Sequence, residues 1–269
     1  MRFTISHLQR PGANQVTARL CQLLVAISMT AATVASAQSP AATTRPVASP
    51  QPSAWRFERE VTALERAIHD VPSEPGTILF YGSSSVRLWA SLKEDFPGRH
   101  VANAGFGGST ASDALHYMDR LVIPMRPSTI VFYEGDNDLA MGRTPDALLA
   151  DYQSFARRVQ EKLPSTRIIY LSVKPSPERT DLMPLQRRTN ALLQDWIQTT
   201  KSPRLAFVDV FRSMLDAQGK PRECLFGEDR LHMNHDGYQL WAQALGNVLG
   251  QEKHATARPT VSLGLTRAE

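Results

Sequence analysis

Between residues 55 and 249 the chain alternates between two patterns of hydrophobic and polar positions. One is a short, nearly continuous apolar run: "TILFY" (77–81), "HVANAGF" (100–106), "STIVFYE" (128–134), "RIIYLSV" (167–173) and "LAFVDV" (205–210). Runs of this length, rich in Ile, Val, Phe and Tyr, predict strands buried on both faces. The other pattern is mixed in polarity and predicts helices over 55–70, 86–95, 112–122, 184–200 and 235–249. A further helix opens at Thr144 and Pro145 and runs to Leu163. Thr can cap a free N–H there, and Pro at the first helical position gives up no hydrogen bond.

Strand–helix alternation implies parallel strands with helices on both faces, a three-layer α/β/α sandwich of about five strands. In such sheets ligands sit beyond the carboxyl ends of the strands. The residues found there are "GSSS" (82–85), "GGST" (107–110), "GDND" (135–138) and "KPSP" (174–177). After the fifth strand a loop leads to "DRLHMNHDG" (229–237).

The chain outside this region changes the charge and redox picture. Residues 1–37 read as an export signal: Arg2, Arg10 and Arg19, an apolar stretch from Leu20 to Ala35, and "ASA" at 35–37 for cleavage. The stretch is short and rich in Ala, Ser and Thr, so no membrane span is expected once it is removed. Residues 38–53 are a Pro, Ser, Ala and Thr linker, and 251–269 read as a flexible tail. The full chain carries +4, but three basic residues and no acidic one leave with the signal. The remaining 27 basic and 26 acidic residues give +1, which offers no basis for nucleic-acid binding. Cys21 leaves too, so Cys224 has no internal disulfide partner and is expected to be a buried apolar residue. Stability must then come from the core of one domain, residues 54–250.

Ester hydrolysis by a side chain needs a hydroxyl, a base, a group that orients the base and donors for the oxyanion. Ser83, Ser84 and Ser85 supply hydroxyls where the first strand ends, or else form a turn and cap the next helix. Only His232 and His235 lie in the loop after the last strand, and Asp229 precedes His232 by three residues. At that spacing a carboxylate can hold an imidazole tautomer, or form a surface ion pair beside a helix start. Asp229, His232 and His235 with nearby Cys224 could also be read as metal ligands, but there is no HExxH and no common zinc spacing, so no metal is expected. "GFGGST" (105–110) has Thr110 at the third glycine position of a dinucleotide fingerprint, and no acid is placed for a ribose, so no cofactor is expected. Asn137 after the third strand offers a neutral donor; Asp136 and Asp138 read as turn formers or local hydrogen-bond partners.

In chain order these blocks are Ser84 in "GSSS", Gly108 in "NAGFGGST", Asn137 in "GDND", and Asp229 and His232 in "DRLHMNHDGY". The ordered set resembles the SGNH hydrolase (GDSL-like esterase) superfamily over about residues 77–249. The resemblance implies a flavodoxin-like sheet, a nucleophile at Ser84, and Asp229 and His232 completing a triad. It implies an oxyanion hole of the Ser84 and Gly108 N–H groups and the Asn137 amide. It also selects Ser84 among the three serines, which periodicity does not. Ser83 stands where the family has Asp, so hydrogen bonding around the nucleophile must differ. Val86 occupies the second Gly of a G-x-S-x-G elbow, against the common α/β-hydrolase branch.

The expected function is an exported serine esterase, periplasmic or secreted, acting on a small ester or an acylated carbohydrate or lipid. Without a long insertion to form a lid, a short acyl group such as acetyl is favoured. Arg87 and Trp89, just past the nucleophile, are candidate pocket residues; otherwise they are a surface cation and a core aromatic. Lysophospholipase or thioesterase activity fits the same residues, and a non-catalytic envelope- or glycan-binding module is the alternative outside catalysis. The oligomeric state has no signature in the sequence.

Overall fold

The computed structural model describes residues 56–69 and 74–250. The export segment, the linker and the tail, and with them the expectations placed on 1–37, 38–53 and 251–269, lie outside the described residues.

Each apolar run forms a strand: β1 (Ile78–Gly82), β2 (Val101–Gly105), β3 (Thr129–Tyr133), β4 (Arg167–Leu171) and β5 (Leu205–Val208). All neighbours pair in parallel, in the order β2-β1-β3-β4-β5. This is the flavodoxin-like order, in which the direction of winding reverses between β1 and β3.

The helices are α1 (Glu58–His69), α2 (Ser84–Arg87), α3 (Leu92–Asp95), α4 (Ala111–Leu121), α5 (Asp136–Ala140), α6 (Pro145–Lys162), α7 (Met183–Thr200) and α8 (His235–Gly250). Strand side chains alternate between two cores. Leu79, Tyr81, Phe132 and Tyr170 pack with α1, α4, α6 and α7, whereas Phe80, Val131, Tyr133 and Ile169 pack with α2, α3 and α8. Both faces of the sheet are thereby covered, as the unbroken apolar runs require. Thr144 caps α6 as expected, accepting the Ala147 N–H at 3.2 Å, with Pro145 in the first turn.

The helix expected over 86–95 is instead two single turns, α2 and α3. Trp89 Nε1 and Ser91 Oγ both donate to Asp95 Oδ2, at 2.6 and 2.8 Å. Between the two turns the Trp89 and Leu92 N–H groups reach back only three residues, to Val86 O and Trp89 O, which interrupts the four-residue helical ladder. Trp89 is 2% exposed and stacks on Tyr238 with centroids 5.2 Å apart. It is a core aromatic, the second of the two readings given above, and does not line a pocket. Cys224 also departs from expectation: it is exposed rather than buried, because it lies in a short 3-10 turn, Glu223–Leu225, whose one inward residue is Leu225. No helix among the described residues is long and apolar enough to cross a membrane.

Candidate active site

Three neighbouring strands deliver three of the residues of interest. Ser84 follows β1, Gly108 follows β2 and Asn137 follows β3, with β1 between the other two. They therefore gather at the carboxyl end of the sheet, where the winding reverses.

The approach to Ser84 is tight. A Cβ on Gly82 would lie 1.9 Å from the Tyr133 carbonyl oxygen, so only glycine lets β1 run this close to β3. The Ser83 N–H then donates to Tyr133 O at 3.1 Å, and Ser83 O accepts the Val86 and Arg87 N–H groups to begin α2. Ser83 stands at the N-cap, yet its side chain makes no cap bond. Ser83 and Ser85 are each 2% exposed, whereas Ser84 is half-buried. Ser84 is the one hydroxyl of the three that opens toward solvent.

His232 arrives from the far end of the chain. The loop carrying it closes on itself: the Gly227 N–H donates to His232 O at 2.8 Å and the Arg230 N–H to Gly227 O at 3.0 Å. Asp229 Oδ1 accepts the Leu231 and His232 N–H groups at 3.0 and 2.9 Å. Its Oδ2 lies 2.6 Å from His232 Nδ1, and His232 Nε2 lies 2.9 Å from Ser84 Oγ. Burial opposes charge on Asp229, but the bonds from the His232 ring and from the two backbone N–H groups outweigh it and lower the carboxyl to about 2. An ionised carboxylate only accepts, so Nδ1 carries the ring proton and the Nε2 lone pair faces Ser84. This arrangement can take a proton from Ser84 Oγ while the hydroxyl attacks.

Gly108 has φ +71°, a conformation that suits glycine, in the turn between β2 and α4. Asn137, in the first turn of α5, points its amide at this turn: Nδ2 donates to Ser109 O at 2.9 Å. An amide nitrogen carries two hydrogens, so one stays available to a ligand. Arg87 is half exposed at its side chain, pairs with Glu60 at 3.4 Å, and lies against Gly107. Glu60 Oε2 also accepts the Gly107 N–H at 3.0 Å. Thus α1 braces the glycine turn.

Three charged residues beside Asn137 were not legible as a unit. Asp136 is a buried ion-pair partner of Lys174 (3.1 Å) and Arg179 (2.9 Å), more than a turn former. Asp138 Oδ2 accepts the Ala111 N–H at 3.1 Å and faces Arg143 at 3.8 Å. The available signal was Lys174 at the end of a strand buried on both faces, since a cation there needs an acid. Among the described residues, no three His, Cys, Asp or Glu side chains converge as metal ligands.

The family model for the GDSL-like Lipase/Acylhydrolase family matches residues 75–240. The chain belongs to this family. As a member it is a serine hydrolase acting on ester bonds. The family match begins after α1. No curated protein matches the sequence. Among solved structures, the chain is similar to a protein provisionally assigned as a platelet activating factor from Streptococcus pneumonia, with TM-score 0.60, 25% identity, and 71% of this chain and 92% of the other covered. A GDSL-like lipase from Bacteroides thetaiotaomicron shares the fold with TM-score 0.61 and 18% identity, over 73% of this chain and 98% of the other. So does a catalytic mutant of an acetylxylan esterase from Geobacillus stearothermophilus, with TM-score 0.52 and 16% identity, over 66% and 95%.

Proposed function

We propose that this GDSL-like hydrolase is an exported esterase that removes short acyl groups, acetyl foremost, from an acylated carbohydrate. Ser84 is the nucleophile, His232 the base, and Asp229 the group that orients it. The observation that carries the reading is the continuous chain from Asp229 through His232 to Ser84, at 2.6 and 2.9 Å.

In this reading Ser84 Oγ attacks the ester carbonyl carbon and passes its proton to His232 Nε2. The carbonyl oxygen becomes an oxyanion, accepting hydrogen bonds from the Ser84 and Gly108 N–H groups and Asn137 Nδ2. These donors act most strongly on the charge that develops in the transition state. Collapse breaks the bond to the alcohol oxygen, which takes the proton from His232 and leaves an acyl–Ser84 ester. Water then repeats the sequence, giving up a proton to His232 and releasing the acid. Asp229 stays ionised throughout and stabilises the imidazolium. No cofactor has a part in this cycle.

Support for the substrate class comes from the solved structures: acetylxylan esterases are among the proteins that share the fold. Export is supported by the basic, apolar and small-residue order of residues 1–37.

A series of p-nitrophenyl esters of increasing chain length tests the reading. The acetate should give the highest kcat/KM, and Ser84→Ala should abolish turnover of every member. A preference for long chains would redirect the proposal to a lipid ester, and turnover surviving Ser84→Ala would remove the triad. Cell fractionation with N-terminal sequencing of the processed chain tests export.

A further inference from the structure

We propose that Arg179 is a positioning residue that holds the Asn137 amide in the single orientation able to donate to the reacting ester oxygen, braced by the buried Asp136–Lys174 pair. The inference rests on the reading of Asn137 as an oxyanion donor.

An Asn side chain has two nearly isosteric ends, an acceptor oxygen and a donor nitrogen, and a half-turn exchanges them. The wrong orientation would place a partial negative charge against a developing oxyanion. Here both ends are held by partners that accept one orientation only. Arg179 Nη2 donates to Asn137 Oδ1 at 3.1 Å, and guanidinium has no acceptor to offer the amide nitrogen. Ser109 O accepts from Asn137 Nδ2 at 2.9 Å, and a carbonyl has no hydrogen to offer the amide oxygen. Reversing the amide would lose both bonds and oppose like partial charges at each end. A cation on the amide oxygen also draws electron density from the nitrogen, which makes its remaining N–H a stronger donor.

The guanidinium is itself fixed. Its Nη1 meets Asp136 Oδ1 at 2.9 Å, while Asp136 Oδ2 meets Lys174 Nζ at 3.1 Å. The Lys174 side chain is 0% exposed, that of Asp136 6% and that of Arg179 17%. Burial opposes charge on Asp136, but Lys174 and Arg179 outweigh it and hold the carboxyl below its usual range. Lys174 Nζ also donates to the carbonyl of Leu231, between Asp229 and His232, at 2.8 Å. The Glu178 N–H, next to Arg179, donates to Arg230 O at 3.1 Å. One ionic cluster thus holds the loop after β3 and the histidine loop against the same segment. Buried ion pairs are poor sources of net stability compared with apolar packing. Their placement at both halves of the site has a direct use in alignment.

The test is a double-mutant cycle on p-nitrophenyl acetate, with melting temperatures measured beside the kinetics. Arg179→Leu should lower kcat by about 10- to 100-fold with KM little changed, a part of what a whole oxyanion donor contributes. In an Asn137→Ala background the same substitution should change kcat by less than about twofold, because the group it positions is gone. Arg179→Lys keeps a cation for Asp136 but not the fork that also reaches Asn137. It should melt near wild type and still lose kcat, which covers the case in which Arg179→Leu fails to fold. Equal losses in the two backgrounds, a change confined to KM, or full kcat in Arg179→Lys would each overturn the proposal. Normal kcat in Asn137→Ala alone would instead remove the oxyanion reading of Asn137, and the present proposal with it.

Discussion

His232 Nε2 lies 2.9 Å from Ser84 Oγ although 148 residues separate them. Ser84 sits past the end of β1, and His232 hangs on a closed loop just before α8, which packs on the same face of the sheet as α2. Tyr238 of α8 donates to Ser85 O at 3.1 Å and stacks on Trp89. Ser84 and His232 are therefore fastened by the core beneath them.

From this contact, Ser84→Ala should abolish ester turnover, while Ser83→Ala and Ser85→Ala retain measurable activity. Both neighbours are buried, and only Ser84 reaches His232. Active-site labelling with a serine-directed phosphonate, followed by peptide mapping, checks the assignment. A label on Ser83 or Ser85 would shift the register.

Asp229→Asn should lower kcat by about 10⁴-fold with the fold intact, as an equivalent change does in a serine protease triad. An amide can present an N–H to His232 Nδ1 and favour the wrong tautomer. The pH dependence has a defined sign. The folded-state carboxyl lies at about 2, below the ordinary 3.8, so its stabilising contribution is present above about pH 4 and lost as pH falls toward 2. The melting-temperature gap between wild type and Asp229→Asn should narrow across that interval. A gap independent of pH would contradict the charged pairing.

Asp138 has the opposite sign. Burial raises its carboxyl from 3.8 to about 7, against the opposing Ala111 N–H and Arg143. The native state keeps this proton where the unfolded chain has lost it, so stability falls as pH rises from about 4 to 7. Asp138→Asn keeps an acceptor for the Ala111 N–H and removes the titration. Its melting temperature should fall less than that of wild type between pH 5 and pH 8. Parallel curves would count against the shift.

Phe57→Ala should destabilise the domain by about 3–5 kcal/mol, the usual cost of emptying an aromatic core site. Phe57 is 4% exposed and meets Phe106 edge to face, with centroids 5.2 Å apart. A chain of residues 54–250 should melt cooperatively, whereas one beginning at 75, where the family match starts, should melt lower and lose activity. It would uncover Phe106 and remove Glu60 from the Gly107 N–H. Equal melting temperatures for the two chains would show α1 to be dispensable.

Much of the fold was legible because burial on both faces of a sheet leaves a local trace. The five apolar runs became five strands with ends displaced by a residue or two, and Thr144–Pro145 marked the start of α6. The blocks that hold Ser84, Gly108, Asn137, Asp229 and His232 were legible as places just past a strand or before the last helix, and the family resemblance alone singled out Ser84 from its two neighbours. The break between α2 and α3 was not legible, because residues 86–95 hold no Gly or Pro to mark it. For Trp89 the sequence offered both a pocket residue and a core aromatic, and packing against Tyr238 decided for the core.

The sequence by itself determined the alternation, and hence the class of sheet and the end of it that carries chemistry, because periodicity is a property of neighbours along the chain. Only the tertiary structure decided which hydroxyl meets the imidazole, that Cys224 faces solvent, and that Asp136, Lys174 and Arg179 form one cluster at the Asn137 amide. Lys174 lies 38 residues from Asp136 and 57 from Leu231. Partners so far apart are chosen by the order and register of the strands that carry them, and that order appears only when the sheet is assembled.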